Sequence, residues 1–162
     1  MPEHNIPAEY GPERRILILG SFPSVRSREE GFFYAHPRNR FWKVIASVAG
    51  KNIPRDIPEK KKLLSECGIA LWDVIASCGI EGSSDASIRD AAPNDIGMIL
   101  GSCPIKAVFT NGRKAHELYG KLILPTCGME DICLPSTSAA NAAYSLESLT
   151  ASWSVIGKYL KE

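Results

Sequence analysis

Apolar residues along the chain follow two patterns, one typical of buried strands and one typical of helices. Four short runs rich in leucine and β-branched residues each stop at turn-forming or polar residues, which indicates strands of a parallel sheet. The predicted strands are residues 15–19, 69–75, 106–110 and 131–134. Between these runs, apolar positions recur with the spacing of one face of a helix. The predicted helices are residues 41–48, 58–67, 94–100, 112–119 and 145–160.

The alternation of strands and helices predicts an α/β fold. We expect three layers, α/β/α, around a central four-stranded and mainly parallel sheet. A chain of 162 residues can bury a core of its own and fits a single domain over residues 1–162. The first residues carry no periodic apolar pattern, so residues 1–13 are predicted to be a loose N-terminal tail.

Polar or turn-forming residues follow every predicted strand. They are residues 20–23, Asp73, residues 110–112 and residues 135–138. Ligands of open parallel sheets bind beyond the carboxyl ends of the strands, so these residues are expected to meet at one edge of the sheet. The segment GFFYAHPRNRFWKVI, residues 31–45, is both aromatic and polar and follows the first turn closely. It is expected to lie over the same edge.

Composition excludes several classes of protein. The chain is 44% hydrophobic and 23% charged, no apolar run reaches the roughly 20 residues of a membrane span, and the amino terminus lacks a signal-peptide core. These features predict a cytoplasmic protein. The five cysteines form no C-x-x-C pair, which argues against a disulfide framework and against a zinc or iron–sulfur site. No metal and no other cofactor is expected.

Basic residues are concentrated in one stretch of the chain. Residues 14–43 contain seven arginines and lysines against two glutamates, a local charge of +5, so the rest of the chain carries −4 of the total of +1. This concentration predicts a positive face that suits nucleic acid. Arginines that are simply solvated are the alternative interpretation.

Several residues at the expected edge have structural as well as functional interpretations. Asn39 follows Pro-Arg and precedes helical spacing, as a helix N-cap does, and His36 is typical of a structural histidine. Asn111, in an Asn-Gly pair, favours a turn. The PSTSAANA loop, residues 135–142, either leads into a last helix capped by Ser145 or donates hydroxyl hydrogen bonds to phosphates. The chain lacks G-x-S-x-G and G-x-G-x-x-G, which argues against a serine hydrolase and a dinucleotide-binding fold.

Both of the unusual segments resemble motifs of one superfamily. GSFPSVRSREEGFFYAHPRNRFWKVI, residues 20–45, resembles the first motif region of the uracil-DNA glycosylases, and LPSTSAANAAYSLESL, residues 134–149, resembles their second motif. A uracil-DNA glycosylase-like fold is then implied. The chain looks most like the hypoxanthine-DNA (DNA-deoxyinosine) glycosylases and next like the mismatch-specific uracil-DNA glycosylases. The latter have an asparagine at the position of Phe22, whereas the hypoxanthine branch uses the asparagine that corresponds to Asn39.

The resemblance implies a monofunctional DNA glycosylase of base excision repair. Such an enzyme flips a deaminated base out of DNA and hydrolyses its N-glycosidic bond, and the branch implies hypoxanthine, the base of deoxyinosine. The alternatives are a mismatch-specific uracil or thymine glycosylase and a non-catalytic nucleic-acid-binding domain of the same fold. The implied partners are damaged DNA and downstream abasic-site repair enzymes. The expected state is a monomer, not attached to a membrane and associated with the nucleoid.

The resemblance also implies roles for individual residues. Asn39 is the catalytic residue and either holds the attacking water or hydrogen-bonds the base. Tyr34 is the platform on which the base stacks, and Asp73 either faces the base or merely ends a strand. The implied base-binding residues are Ser21, Phe22, Phe33, Tyr34 and Asp73. The implied DNA-binding residues are His36, Arg38, Arg40, Ser136, Thr137, Ser138, Ala140 and Asn141.

Two positions depart from the motifs that the chain resembles. Ser24 replaces the usual glycine after the proline of the first motif, and Ala139 replaces the usual proline of the second. The tip of the second motif carries no large apolar side chain that would wedge into a base stack. Weak penetration of duplex DNA, and a preference for bases that are already unpaired, are therefore expected.

Overall fold

A computed structural model describes residues 2–161, so Met1 and Glu162 of the predicted domain lie outside the described residues. Within this range the chain forms six strands and seven α-helices. The strands are β1 (Ile16–Gly20), β2 (Ile69–Asp73), β3 (Ile75–Gly79), β4 (Arg89–Pro93), β5 (Ala107–Asn111) and β6 (Asp131–Leu134). The helices are α1 (Val25–Glu30), α2 (Phe41–Ala49), α3 (Ile57–Cys67), α4 (Ile96–Ser102), α5 (Arg113–Leu122), α6 (Leu124–Cys127) and α7 (Leu146–Trp153).

The central sheet has four strands in the order β2-β1-β5-β6, and all three neighbouring pairs are parallel. Gly20 lies opposite Asp73, and Asn111 lies opposite Leu134. The carboxyl ends of all four strands therefore reach the same edge, as parallel strands require. The predicted four-stranded parallel sheet is confirmed.

Alternate residues of the central strands pack into two separate hydrophobic cores, because side chains alternate between the two faces of a sheet. On one face, Ile16 and Ile18 pack against α2, α3 and α7. On the other face, Leu17 and Leu19 pack against α4, α5 and the β3–β4 hairpin. These four side chains of β1 are fully buried, and the predicted three-layer α/β/α architecture is confirmed. Across residues 2–161, the helices are too short or too polar to cross a membrane.

The predicted strand over residues 69–75 is wrong at its carboxyl end. The structure divides it at Val74, whose N–H donates to the Gly20 carbonyl at 2.8 Å. The Asn94 side-chain amide donates to the carbonyls of Asp73 and Ile75 and so holds the bend in place. Strand β3 leaves the main sheet at this bend and pairs antiparallel with β4, a hairpin that the apolar pattern did not predict.

The prediction of a loose tail over residues 1–13 is also wrong for the part that the structure describes. Glu9 forms an antiparallel bridge with Leu71 through hydrogen bonds of 3.0 and 2.9 Å, so the segment extends the exposed edge of β2. Ile6 is buried in the core on the α2, α3 and α7 side of the sheet. His4 reaches below the carboxyl edge of the sheet. Backbone pairing at an open edge requires no apolar periodicity, which is why the pattern gave no signal.

Side-chain hydrogen bonds stabilise the first turns of α7 and α2, the two helices that border the carboxyl edge of the sheet. Ser145 caps α7 through a reciprocal hydrogen-bond pair with Ser148, so its predicted capping role is confirmed. A 3₁₀ turn over Ser154–Lys158 continues α7. At α2 the N-cap position belongs to Arg40, one residue later than predicted. The Asn39 side chain still bonds to the first turn of the helix, because its Oδ1 accepts the N–H of Phe41 at 3.0 Å.

Candidate active site

A cavity of about 360 Å³ opens at the carboxyl edge of the central sheet. Its walls come from the ends of β1, β2 and β5, from the segment before α2, and from the loops between β3 and β4 and between β6 and α7. The volume lies within the usual range of about 300–1,000 Å³ for small-molecule sites. The following predicted site residues line it: Ser21, Phe22, Phe33, Tyr34, His36, Asn39, Asp73, Ser136, Thr137, Ser138 and Ala140.

Thr137 links the two motifs at the inner wall of the cavity. Its hydroxyl donates to Asn39 Oδ1 at 2.8 Å and accepts from Asn111 Nδ2 at 3.0 Å. Its backbone N–H donates to Asn111 Oδ1 at 3.0 Å. Thr137 is fully buried, so these bonds are shielded from water. Asn111 therefore has a role beyond the turn that the sequence favoured, because its side chain lines the cavity.

Backbone donors fix the orientation of both asparagine amides. A backbone N–H can donate only to the oxygen of a side-chain amide, which places Asn39 Oδ1 on Phe41 N–H and Asn111 Oδ1 on Thr137 N–H. Asn39 Oδ1 also accepts the Thr137 hydroxyl, so both of its acceptor positions are used. Asn39 therefore presents its Nδ2 hydrogens to the cavity. It can donate to a ligand but cannot accept a hydrogen bond from one.

Tyr34 covers one wall of the cavity in an unusual backbone conformation. Its φ is 52°, in the left-handed region that non-glycine residues rarely adopt, and its ring stacks on Phe41 with centroids 4.0 Å apart. One face of the ring is thus occupied, which leaves only the opposite face for a stacked ligand. An observed strained backbone at a cavity wall is typical of functional sites.

The Tyr34 hydroxyl is buried near the carboxylate of Asp73. It lies near Asn111, yet it forms no hydrogen bond of acceptable geometry with any group in residues 2–161. Burial raises the pKa of Tyr34, and the nearby charge of Asp73 raises it further. The phenol is therefore held neutral, as a donor that lacks a partner. Such a donor is costly unless a ligand accepts from it.

Phe22 and Phe33 differ in how they meet the cavity. The Phe33 ring packs edge-on against Phe32, and its carbonyl accepts the indole N–H of Trp42 at 3.2 Å. Phe22 stands at the end of β1, with the Arg28 guanidinium 5.3 Å from its ring centroid. Both rings line the cavity and are more than nine-tenths buried. Their predicted role as walls of a base pocket stays a prediction.

Asp73 and His4 form a buried pair at the floor of the cavity. Asp73 Oδ2 lies 2.8 Å from His4 Nε2, and the two side chains are 5% and 2% exposed. The N–H of Ile6 donates to His4 Nδ1 at 3.2 Å, so Nδ1 carries no proton and the proton of the neutral ring is on Nε2. Nε2–H therefore donates to Asp73 Oδ2. Sequence reasoning missed His4, because a polar residue in an aperiodic terminal segment gives no local signal.

Asp85 is a second carboxylate at the cavity, and sequence reasoning missed it as well. It begins a short 3₁₀ turn over Asp85–Ser87, in the loop between β3 and β4. The Ser21 hydroxyl donates to its Oδ1 at 2.6 Å. The residue as a whole is exposed, yet desolvation of its carboxyl group raises the pKa of Asp85, and the hydrogen bond from Ser21 and the charge of Lys114 oppose this change. The residue stands in a loop rich in small polar residues, where no pattern distinguishes it.

The predicted DNA-binding residues are distributed between the cavity wall and its surroundings. Arg38 is exposed between the cavity-lining residues His36 and Asn39. Asn141 lies outside the cavity, where its amide donates to the Ser136 carbonyl at 2.9 Å. The oxygens of Ser136 and Ser138 accept backbone N–H groups of their own loop, which leaves their hydroxyl hydrogens free to be donated.

Arg40 holds the loop between β6 and α7. Its guanidinium donates to the carbonyls of Ser138 at 2.9 Å, Asn141 at 3.1 Å and Tyr144. Its backbone N–H donates to the Thr137 carbonyl at 3.0 Å. Because its outer nitrogens are already engaged, the structure favours a role in ordering this loop over the predicted phosphate contact. The loop is thus held in one conformation before any ligand arrives.

Comparisons with known proteins agree with this architecture. The chain matches the family model of the Uracil DNA glycosylase superfamily over residues 7–156. A Methanosarcina acetivorans protein named Hypoxanthine DNA glycosylase is 37% identical over 147 residues, 90% of this chain and 92% of that protein. A Methanosarcina barkeri protein of the same name is 32% identical over 155 residues, 94% and 96% of the two chains.

A solved structure is similar over nearly the whole chain. It is the solution NMR structure of a candidate uracil DNA glycosylase from Methanosarcina acetivorans, which superposes with a TM-score of 0.82 at 34% identity. The match covers 96% of each chain. Together with the sequence matches, this similarity confirms the resemblance of the two motifs: the chain belongs to the uracil DNA glycosylase superfamily.

Proposed function

We propose that the chain is a monofunctional DNA glycosylase that removes hypoxanthine from deoxyinosine in DNA. Two relatives that are 37% and 32% identical to it carry the name Hypoxanthine DNA glycosylase. The observation that carries the proposal within the molecule is the orientation of Asn39. Its oxygen is held by Phe41 N–H and the Thr137 hydroxyl, so only N–H donors face the cavity.

Donors in this position suit the chemistry of a departing purine. When the bond between C1′ and N9 breaks, its electron pair stays on the purine, and negative charge spreads over the ring nitrogens and O6. A fixed donor that meets this charge stabilises the transition state more than the ground state. Removal of one comparable donor from an oxyanion hole costs about 10²–10³ in rate. Asn39 therefore acts on the leaving group and does not orient the water.

The same donors favour a deaminated purine over adenine. Hypoxanthine carries the acceptor O6 where adenine carries a donor amine. An N–H of Asn39 that meets O6 forms a hydrogen bond, whereas the same N–H facing the adenine amine leaves two donors opposed and unpaired. An unsatisfied buried donor costs about 1–3 kcal/mol, enough for a clear preference. Asn111 presents a further amide beside Asn39.

Base flipping places the nucleotide in the cavity, and stacking offsets part of its cost. The free face of Tyr34 receives the base, and stacking on an aromatic ring contributes about 1–3 kcal/mol. Extrusion costs a few kcal/mol and is cheapest for a poorly paired base. The hydroxyl groups of Ser136 and Ser138, with Arg38, are proposed to contact the flanking phosphates.

The proposal includes the setting in which the enzyme acts. We propose a monomer that works on the nucleoid in the cytoplasm and needs no organic cofactor. The product is an abasic site in an uncut strand, so abasic-site repair enzymes must act next. The charge of +5 over residues 14–43 supports attraction to DNA.

The test is release of the base from defined oligonucleotides. Labelled strands carrying one deoxyinosine, deoxyuridine, deoxyxanthosine or deoxyadenosine, single-stranded or opposite each base, are treated with the protein and then with alkali. We expect cleavage at deoxyinosine and none at deoxyadenosine. Cleavage only at deoxyuridine would move the assignment to uracil excision, and tight binding without any abasic product would indicate a non-catalytic domain.

A further inference from the structure

Hydrolysis needs a group that directs water at the sugar, and the donor-only Asn39 does not supply it. Neither His36, which lines the cavity, nor His4, which contacts the cavity residue Asp73, supplies it. His4 Nδ1 accepts the N–H of Ile6, and His36 Nδ1 accepts the N–H of Arg38 at 3.1 Å. In both neutral rings the remaining nitrogen, Nε2, therefore carries the proton and cannot accept one.

The carboxylate of Asp73 is buried at the floor of the cavity. Its Oδ2 accepts from His4 Nε2. Its Oδ1 lies against the end of β1, where a Cβ added to Gly20 would stand 2.3 Å away. Asp73 does not line the outer groove, so a base that fills the cavity would separate it from the nucleotide backbone. Asp85 is the other carboxylate among the residues that line the cavity.

Asp85 stands where the cavity opens into an outer groove of about 850 Å³. The residues shared by the cavity and the groove are Ser83, Asp85, Ser136, Ser138 and Ala140. If the base of a flipped nucleotide fills the cavity and its phosphates follow the outer groove, as the proposed function requires, its sugar lies at this junction. Asp85 is therefore placed beside the sugar rather than beside the base.

One carboxylate oxygen of Asp85 accepts a hydrogen bond from the protein, and the other is free to accept one from a ligand or water. Ser21, which is 8% exposed, donates to Oδ1, and the Ser21 carbonyl is itself fixed by the N–H of Ile75. Within residues 2–161, no hydrogen-bond donor reaches Oδ2, and no cation lies within ion-pair distance. A carboxylate fixed through one oxygen and free at the other can accept a proton from a bound water.

We propose, on the basis of the glycosylase function above, that Asp85 positions the attacking water at C1′ and accepts its proton. The C1′–N9 bond breaks with its electron pair on the purine, and the sugar becomes a cation that the charge of Asp85 stabilises. The water oxygen bonds to C1′, and its proton moves to Oδ2. The purine anion takes a proton from solvent, and Asp85 later returns its proton to solvent, so neither oxidant nor cofactor is needed.

The ionisation of Asp85 should govern the pH dependence of the rate. Desolvation raises the pKa of Asp85, the hydrogen bond from Ser21 and the charge of Lys114 on α5 lower it, and the charge of Asp73 on β2 raises it. His36 and Tyr34 line the same cavity, and Arg113 lines the outer groove. Since the reactive form is the carboxylate, the rate should rise as pH increases through the pKa of Asp85 and then level off.

The experiment compares Asp85→Asn with wild type under single-turnover conditions on a deoxyinosine strand. We expect the rate to fall about 100-fold, the lower part of the usual contribution of a general base, and to lose its rise with pH. Binding to a strand with a stable abasic analogue should be equal or tighter, since a negative charge has left a DNA-binding surface. Glu81→Gln is the matched control, because Glu81 is exposed like Asp85 and carries the same charge in the same loop but does not line the cavity.

Rates within threefold of wild type for Asp85→Asn, or an equal loss in Glu81→Gln, would overturn the role of Asp85 while leaving the glycosylase function intact. A wild-type protein that releases no base would overturn both. Should Asp85→Asn fold poorly, Asp85→Ala is assayed with added formate. Recovery of the rate would support a missing proton acceptor, and no recovery in a folded variant would refute it.

Discussion

Substitution Thr137→Val tests whether the buried hydroxyl that joins the two motifs matters for catalysis as well as for stability. Valine has the shape of threonine, and the variant loses the bonds of 2.8 Å to Asn39 and 3.0 Å to Asn111. Two side-chain hydrogen bonds at about 0.5–1.5 kcal/mol each predict a loss of about 1–3 kcal/mol. For a domain of this size, each kcal/mol lowers the Tm by about 2–4 °C.

Thr137→Val should also lower the rate, because the side-chain amides of Asn39 and Asn111 become freer to rotate. Asn39 keeps its bond to Phe41 N–H and Asn111 keeps its bond to the N–H of residue 137, so each amide retains one anchor and can rotate about it. A loss of orientation worth about 1.4–2.8 kcal/mol in the transition state lowers the rate about 10–100-fold. We therefore expect a slower enzyme that still folds.

The assay pairs thermal unfolding with single-turnover release of base from a deoxyinosine strand. Thr150→Val is the matched control, because the Thr150 hydroxyl also donates a hydrogen bond, to the Leu146 carbonyl at 2.8 Å within α7. The control should excise at the wild-type rate. If Thr137→Val melts several degrees lower but excises within twofold of wild type, the network is structural only and the reasoning is refuted.

Two further predictions concern packing and ionisation. Gly20→Ala should lower stability by about 1–3 kcal/mol and abolish excision, since its Cβ would lie 2.3 Å from Asp73 Oδ1; Gly101→Ala, which meets nothing within 4 Å, should do neither in the same melts and assays. Burial raises the pKa values of Tyr34 and Tyr119, so stability is kept below their ordinary pKa of about 10 and lost as pH rises further. Alkaline unfolding should begin at higher pH in Tyr34→Phe and Tyr119→Phe, and an unchanged onset would contradict this cause.

The parts of the fold that the sequence predicted are those with dense apolar patterns. The β1 run is buried at every position, and the α2 positions that recur at helical spacing, such as Phe41 and Ile45, lie fully in the core. The apolar pattern did not predict the β3–β4 hairpin, because its residues are largely polar or half-exposed and its pairing is irregular. Irregular strands carry neither alternation nor a continuous apolar run.

The site was predictable where residues follow strand ends and was not where long-range contacts create it. Asn39 and Thr137 stood out in their motifs, yet the hydrogen bond between them joins positions 98 residues apart, and only the structure shows which amide atom it occupies. His4 reaches Asp73 across 69 residues. Asp85 gains its setting from Ser21, 64 residues away. Local sequence carries no record of such pairings.

The central claim is that Asn39 donates to the departing base, and Asn39→Asp tests it most directly. Aspartate keeps an oxygen for Phe41 N–H and the Thr137 hydroxyl but replaces the donating nitrogen with a second acceptor. We predict that excision of hypoxanthine falls at least about 100-fold while the Tm stays within a few degrees, and that exposed Asn52→Asp changes neither. An Asn39→Asp enzyme as fast as wild type, or faster, would show that this position orients water instead.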